Sequence, residues 1–294
     1  MTNHFTVGEF CQQLHFDSVV GMAVYIGDRL NWVQQALESV LGQTYRDFLF
    51  VVVLDGAVAP EIKAYLNKAR LNDKRVVLVE GSQNAGLSSC MNFVIDWTAQ
   101  FSPKYFFRMD ADDVSCPSRF ETQINFLENN PDISVLGSAL DEINEVGKKV
   151  GKRKLPLSHN EIIKFLPKRC SLNHPTVVIR CEVFKAGHRY LNTLENTQDY
   201  YLWAELAAAG YKFTNLSDKL LQFRRVNNFY KRRGLSKSIN EFKARIYTMK
   251  LLHRFTFGNV VYASAVLLLR LMPSKVVKIA YTVDRYLLEK IVKH

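Results

Sequence analysis

The seven residues Phe48–Leu54, with the sequence FLFVVVL, constrain the fold of this 294-residue chain more than any other segment. Every position is apolar and most are β-branched or aromatic, which is typical of a strand buried on both faces in a parallel sheet. The segments 30–41 and 59–69, on either side of it, have the three- and four-residue apolar spacing of helices. The sequence therefore predicts βαβ units and an α/β fold with a mostly parallel sheet.

Further strands and helices alternate along the first two thirds of the chain, as βαβ units require. Strands are predicted at 18–26, 75–79 and 105–109, and helices at 87–98 and 117–127. After residue 130 the alternation weakens. The elements predicted there are a strand at 133–140, a polar turn region at 144–153, a short helix opened by a capping box of Ser158 and Glu161, a strand at 176–180, a helix at 198–209 closed by Gly210, strands at 211–215 and 219–226, and helices from 236 onward.

Charge is distributed unevenly along the chain, which has a formal net charge of +11. Residues 224–294 contain 16 Lys and Arg residues but only three Asp and Glu residues, whereas residues 1–223 are nearly neutral. A content of 48% apolar and 23% charged residues excludes the disordered and disulfide-scaffold classes. The five cysteines form no CxxC pair, so reduced cytosolic thiols are expected, without a zinc site.

A contact with a membrane surface is the interpretation that the C-terminal pattern favours. No signal peptide is expected, and the longest run of apolar and small residues, 260–269, is half the length of about 20 residues that a spanning helix needs. Residues 275–294 have apolar side chains at helical spacing with lysines and arginines between them, which suits an anionic membrane surface. A plain packing helix and a nucleic-acid contact are the alternatives, but no nucleic-acid-binding motif supports the latter.

Asp110, Asp112 and Asp113 follow directly after the predicted strand 105–109. Carboxylates at alternate positions where a strand ends can converge on one hard cation, and Mg²⁺ and Mn²⁺ prefer oxygen ligands. Three acids this close repel one another unless a cation compensates their charge. The competing interpretation is a polar loop whose acids cap the helix that begins near Pro117.

Three weaker signals lie at the ends of other predicted elements. Asp55 follows the strand Phe48–Leu54, on the side of a parallel sheet where ligands bind, although Asp-Gly is also a common turn. The turn at 84–87 leads into a helix that contains Asn92, and it can present backbone N–H groups to an anion, as many ordinary helix starts can. Asp199 begins the helix 198–209, either as a general base or as an acid favoured by the helix dipole.

Together and in this order, the motifs resemble those of the family 2 glycosyltransferases, which have the nucleotide-sugar-binding GT-A fold. The similarity covers about residues 18–226, and the joint agreement of its motifs makes it specific. The matching motifs are the first strand from Ser18 to Tyr25, the helix sequence LESVLGQTY at 37–45, Asp55-Gly56, the segment from Asn84 to Asn92, the DxD motif Asp110-Ala111-Asp112, His174-Pro175-Thr176, and Gln198-Asp199.

The resemblance implies a role for each matching residue. Asp199 would be the catalytic base, and Asp112, supported by Asp110, would hold Mn²⁺ or Mg²⁺ against the donor diphosphate. The residues expected to bind the donor are Ala23, Tyr25, Asp55, Asn84, Gly86, Asn92, Asp110 and Ala111. Candidate contacts with a phosphate or the acceptor are His174, Gln198, Arg224 and Arg225.

The resemblance also implies a function, which is the inverting, non-processive transfer of one sugar, with a UDP-sugar as the expected donor. The acceptor would be a glycan or a polyprenyl-pyrophosphate-linked glycan in O-antigen, capsule or lipooligosaccharide synthesis. The enzyme would be cytoplasmic and peripheral at the inner face of the cytoplasmic membrane. Residues 1–226 would form the GT-A catalytic domain, with a nucleotide-binding part at about 18–113 and an acceptor part at about 114–226, followed by a basic helical extension at 227–294.

The sequence departs from the family pattern in ways that bear on this function. Gln198 stands where the family usually has Glu, and Leu54 replaces an acid often found before Asp55. The Gln-x-x-Arg-Trp motif of processive members is missing after residue 203, which indicates transfer of a single sugar. The alternatives are a catalytically inactive protein of GT-A type and a protein that binds nucleic acid or membrane through its basic tail.

Overall fold

One ten-stranded mixed sheet organises the computed structural model, which describes residues 4–10, 16–194, 196–226, 235–270 and 272. The strands are β1 Phe5–Val7, β2 Ser18–Val24, β3 Phe48–Leu54, β4 Val76–Gly81, β5 Tyr105–Asp110, β6 Val114–Ser115, β7 Ile133–Ile143, β8 Lys149–Arg153, β9 Val178–Arg180 and β10 Lys212–Arg224. The helices are α1 Leu30–Leu41, α2 Pro60–Asn72, α3 Leu87–Thr98, α4 Arg119–Asn129, α5 His159–Phe165, α6 Glu182–Lys185, α7 Gln198–Ala208, α8 Leu235–Leu251 and α9 Phe257–Arg270.

The order of the strands brings many of their ends to one edge of the sheet. Neighbouring strands follow the order β1-β4-β3-β2-β5-β9-β7-β10-β6, and β8 pairs with β7. β4, β3, β2 and β5 are parallel to one another, as the sequence predicts. The short β9 is antiparallel to both β5 and β7, so β7 and β10 again run in the direction of β5. The carboxyl ends of these six strands therefore lie at one edge, where α/β proteins bind ligands.

Two hydrophobic cores cover the sheet, one on each face. All seven residues of β3 are buried, which confirms the prediction for this strand. Leu49, Val51 and Val53 belong to the core that α3 and α7 line, whereas Phe50 and Val52 belong to the core lined by α1, α2 and α4. Burial of side chains this large stabilises each by about 1.5–3 kcal/mol. The strands, and with them the residues at their carboxyl ends, are therefore held in a fixed register.

The structure differs from the sequence prediction in six places, and the other predicted elements agree to within a few residues. β1, β6 and α6 were not predicted, because elements of two to four residues are too short to show a period. Lys149–Arg153 forms a strand rather than a turn, and it is polar because it is an exposed edge strand paired only with β7. β10 is one strand rather than two, since irregular pairing between 216 and 222 accommodates its polar residues. Thr176 belongs to a 3₁₀ turn, so β9 begins only at Val178.

The C-terminal helices α8 and α9 form a hairpin that packs on α7 through α8. The rings of Tyr201 and Tyr247 lie 4.8 Å apart, and Arg245 Nε donates a hydrogen bond to the carbonyl of Lys168 at 2.6 Å. The described part of the extension is thus helical, as predicted, whereas the basic helix predicted at 275–294 lies outside the described residues. Within the described part of the chain, no helix is both long and apolar enough to cross a membrane.

The capping box predicted at α5 is present. Ser158 Oγ accepts the N–H of Glu161 at 3.4 Å, and the Glu161 carboxylate accepts the N–H of Ser158 at 3.2 Å. Because loss of an N-cap typically costs about 1 kcal/mol, we expect Ser158→Ala to lower the free energy of unfolding by that amount. Ser118→Ala is the matched control, since Ser118 begins α4 without a side-chain cap hydrogen bond. Urea unfolding measures both variants, and equal losses would contradict this account of the cap.

Candidate active site

The carboxyl edge of the sheet brings together residues that are far apart in the sequence. Tyr25 follows β2, Asp55 follows β3, Asp110 ends β5 and Arg224 ends β10. Ala23, a half-buried residue of β2, pairs with Asp110 across the β2–β5 ladder. Tyr25 is 42% exposed at this edge. The predicted donor-binding residues of β2, β3 and β5 therefore share one surface.

Three acids form the centre of this surface. One carboxylate oxygen from each of Asp110, Asp112 and Asp113 lies within 4.8 Å of the others, and the intervening Ala111 is buried. Asp113, which is fully buried, accepts the N–H of Arg224 through Oδ1 at 2.8 Å. Its Oδ2 has no hydrogen-bond partner among the described residues. An unpartnered buried carboxylate oxygen is costly, so the cluster fits a cation, and its all-oxygen donor set suits Mn²⁺ or Mg²⁺.

Burial and mutual repulsion shift the acidity of this cluster. Burial, and then repulsion from Asp110 and Asp28, raises the pKa of Asp112 to about 7. Burial and repulsion from Asp110 and Asp112 raise the pKa of Asp113 well above its usual range. Sequence reasoning missed Asp28, which accepts the N–H of Tyr25 at 2.9 Å and whose pKa is raised to about 6, chiefly by burial. A bound divalent cation would relieve this repulsion.

Arg108 is a buried cation beside the acid cluster, and sequence reasoning missed it. Its side chain is only 2% exposed, and its guanidinium forms an ion pair with Asp110. Its charge also acts on Asp112, Asp113 and Asp199, opposing the effect of burial on the pKa of each. The charge of Arg108 therefore lowers pKa values both in the acid cluster and at the start of α7. The signal in the sequence is an arginine inside the apolar strand YFFRMD, because a charged side chain is rarely buried unless it is paired.

Asp55 holds the turn that follows β4. Its Oδ1 accepts the N–H of Ala85 at 2.6 Å and its Oδ2 accepts the N–H of Gly86 at 3.0 Å. The sequence predicts that this turn can present backbone N–H groups to an anion, and here the anion is the Asp55 carboxylate. Gly56 permits the close approach, since its φ is +78° and a Cβ would lie 2.7 Å from the nitrogen of Asn84. Asn84 is exposed beside the turn. Contact of Asp55 and Asn84 with a nucleotide stays a prediction.

Asn92 forms hydrogen bonds inside the protein, and its predicted contact with the donor stays a prediction. Its side-chain amide donates to the carbonyl of Tyr190 at 2.8 Å and accepts the N–H of the same residue at 2.9 Å. It also donates to Asn192 at 2.8 Å, so it ties α3 to the segment before α7. The Tyr190 hydroxyl lies 3.0 Å from His174 Nε2. Burial, together with the charge of Arg108, lowers the pKa of His174 well below its usual value, so this ring is neutral.

Asp199 lies in the first turn of α7, half-buried. Burial raises its pKa, while the N–H of Tyr200 and the charge of Arg108 act in the opposite direction. The thiol of Cys170 lies 3.7 Å from its Oδ2. Gln198 is 9% exposed, and its Oε1 has no hydrogen-bond partner among the described residues. Because burial raises its pKa, this carboxyl group is a stronger proton acceptor than an ordinary aspartate.

Arg224 and Arg225 bind other parts of the protein, and their predicted contact with a phosphate or the acceptor stays a prediction. Arg224 donates through Nε to the carbonyl of Asp112, through Nη1 to two carbonyls of the turn after β7, and through Nη2 to Gln35. These contacts use most of the five N–H bonds of a guanidinium. Arg225 pairs with the buried carboxylate of Glu142 at 3.1 Å. Both arginines therefore hold the edge of the sheet together.

Comparisons with a family model and with known sequences both match glycosyltransferases. The model of glycosyl transferase family 2 matches residues 20–192. The chain is 32% identical to an uncharacterized glycosyltransferase of Haemophilus influenzae, over 88% of this chain and 96% of the relative. It is 32% identical to the amylovoran biosynthesis glycosyltransferase AmsE of Erwinia amylovora, over 90% and 97% of the two chains. A UDP-Gal:alpha-D-GlcNAc-diphosphoundecaprenol beta-1,3-galactosyltransferase of Escherichia coli is 31% identical, over 77% and 81%.

The fold is also found among solved structures. TarS of S. aureus, in complex with UDP, matches 82% of this chain and 70% of its own with a TM-score of 0.58 and 18% identity. The mannosyltransferase PcManGT of Pyrobaculum calidifontis matches 92% and 81% of the two chains with a TM-score of 0.54 and 13% identity. Identities this low bear on the fold alone, which is the expected α/β fold of GT-A type. The family match and the relatives that align over nearly the whole chain lead to one conclusion: this protein belongs to glycosyl transferase family 2 and is a glycosyltransferase.

Proposed function

We propose that this protein transfers a single sugar from a nucleotide-sugar donor to a glycan or lipid-linked acceptor, with inversion, in the synthesis of a bacterial surface polysaccharide. The observation that carries the proposal is the arrangement of two kinds of acid around Arg108. The acid cluster of Asp110, Asp112 and Asp113 is suited to a metal-bound diphosphate. Asp199 is a separate carboxyl group with a raised pKa, coupled to the same buried cation.

The donor is proposed to bind at the carboxyl edge of β2, β3 and β5. Asp110 and Asp112, with Asp113 beside them, would hold Mn²⁺ or Mg²⁺, which when bound neutralises the charge developing on the leaving diphosphate. The proposed nucleotide contacts are Ala23, Tyr25, Asp55, Asn84, Gly86 and Ala111. UDP is the proposed nucleotide because the name of the Escherichia coli relative specifies UDP-Gal.

Asp199 is proposed as the general base. It accepts the proton of the acceptor hydroxyl while the hydroxyl oxygen attacks the anomeric carbon, and the bond from that carbon to the diphosphate oxygen breaks. One displacement of this kind inverts the anomeric configuration. The raised pKa of Asp199 supports the role, since a base is most effective when its pKa approaches the working pH. The neutral side chains of Gln198 and His174 are proposed to orient the acceptor.

The acceptor is proposed to be carried on polyprenyl pyrophosphate at the inner face of the cytoplasmic membrane. The names of relatives support this: one acts on GlcNAc-diphosphoundecaprenol, and others serve amylovoran or O-antigen biosynthesis. The basic composition of residues 224–294 also suits the anionic surface of that membrane. We accordingly assign catalysis to residues 1–226 and attachment to the basic extension at 227–294.

Donor binding is the first test of this proposal. We expect one UDP-sugar to raise the melting temperature only when Mn²⁺ is present, because the metal is proposed to hold the diphosphate. A ligand at about 100 times its Kd adds about 2.7 kcal/mol of stability, which a melting curve can resolve. Asp112→Asn should abolish this effect. Asp132→Asn is the control, since Asp132 is exposed at the opposite edge of the sheet and pairs only with Lys212 among the described ion pairs. Stabilisation without Mn²⁺, or unchanged stabilisation of Asp112→Asn, would contradict the metal assignment.

The catalytic base is tested with Asp199→Asn, which keeps the size of the side chain but cannot accept the proton. We expect kcat for transfer to fall by about 10²–10⁴-fold, the usual contribution of general base catalysis. Calorimetry should give an unchanged Kd for the UDP-sugar, which separates a chemical defect from a loss of folding. A variant that retains wild-type turnover would exclude Asp199 as the base.

The raised pKa of Asp112 predicts a dependence of stability on pH. Its pKa is about 7 in the folded protein against an ordinary value of 3.8, so protonation favours the folded state and stability falls as pH rises through this range. Mn²⁺ takes the place of the proton, so we expect it to raise the melting temperature more at pH 8 than at pH 6. Asp112→Asn should reduce the difference, and an equal effect of Mn²⁺ at both pH values would contradict the prediction.

A further inference from the structure

α9 has an apolar stripe that the described residues leave exposed. Phe257, Val261 and Leu268 are 87%, 48% and 62% exposed, and their spacing places them on one face of the helix. Phe255, just before the helix, is 55% exposed, whereas Ala263 on another face of α9 is fully buried. Single exposed apolar residues are normal on a protein surface. An aligned set is different and marks an interaction surface.

The chain around this stripe is basic. Residues 235–270 contain six Lys and Arg residues and a single acid, Glu241. Lys250 and Arg254 are exposed at the turn that leads into α9. This charge disfavours a second copy of the same surface as the partner, because two such surfaces repel each other. It favours a partner that is apolar inside and negatively charged outside, which describes a bilayer with anionic headgroups.

We propose that the stripe Phe257–Val261–Leu268 is the surface by which this protein docks on an anionic lipid bilayer. The apolar side chains enter the boundary between headgroups and acyl chains, and the neighbouring lysine and arginine side chains pair with the headgroups. The helix lies in the plane of the interface. α9 has 14 residues and is therefore too short to span the bilayer.

The docking surface is connected to the start of α7, where Asp199 lies. α9 packs on α8, and α8 packs on α7. Asn240 of α8 donates to the side chain of Asn196, three residues before Asp199, at 3.4 Å. Docking through α9 therefore fixes the position of Asp199 relative to the headgroups. This consequence rests on the proposed function, since it matters only if the acceptor is lipid-linked, whereas the docking itself does not.

Vesicle flotation with the full-length protein tests the proposal. Wild-type protein should float with vesicles of phosphatidylcholine and phosphatidylglycerol and bind pure phosphatidylcholine at least tenfold more weakly. The double variant Phe257→Ser/Leu268→Ser should lose at least tenfold in binding to the anionic vesicles. Leu71→Ser is the matched control, because Leu71 is 75% exposed on α2, away from the stripe, and it should bind as wild type does.

Each other occupant of the stripe gives a different result, and each would overturn the proposal. If residues 273–294 cover the stripe or bind lipid by themselves, the double variant will float as the wild type does. If a second copy covers it, the wild type will be a dimer by light scattering and the double variant a monomer. Circular dichroism should show that the exposed substitutions leave the fold intact. Calorimetry of UDP with Mn²⁺ needs no membrane, so failure of the proposed donor binding is seen separately.

Discussion

The positive charge buried at the end of β5 must be compensated, and the structure of the carboxyl edge of the sheet depends on this compensation. Two arginines lie there almost without solvent, Arg108 in the strand and Arg119 at the start of α4. Arg119 donates to the carbonyl of Arg108 at 2.9 Å, and burial lowers its pKa to about 9. Removing one partner of a buried ion pair typically costs about 3–5 kcal/mol. The acids Asp110 and Asp113 therefore stabilise the folded protein, in addition to their proposed role in binding a ligand.

Arg224 extends this compensation to the neighbouring loops. Its N–H fixes Asp113, and its guanidinium joins the backbone of Asp112 to the turn after β7 and to Gln35 of α1. The same guanidinium lies 5.2 Å from the ring of Trp32. Three other parts of the chain thus meet at one planar cation, which can donate in several directions at once. The acid cluster is held in place before any ligand binds, and such preorganisation lowers the free-energy cost of binding.

The sequence predicts those parts of the fold that follow from local pattern. β3 and β5 can be predicted because a run of buried apolar residues has few other conformations open to it. Asp110 and Asp112 can be predicted as site residues because they directly follow such a strand. The hydrogen-bond partners of Arg224 and Asp55 cannot be predicted from the sequence, since they lie on other loops and only tertiary contacts bring them close. β8 is missed for a different reason: an edge strand exposed to solvent has the same polar composition as a turn.

The glutamine at position 198 has an electrostatic consequence for Asp199, the proposed base. Its side chain is almost buried and adjoins Asp199 at the start of α7. A glutamate here, as the family pattern has, would place a second negative charge next to Asp199 and raise its pKa further. The neutral amide avoids this repulsion but keeps an oxygen that can accept a hydrogen bond, and Oε1 has no protein partner among the described residues. The N–H of Tyr200 and then the charge of Arg108 oppose the effect of burial on the pKa of Asp199, so the cation that pairs with Asp110 also acts on the proposed base.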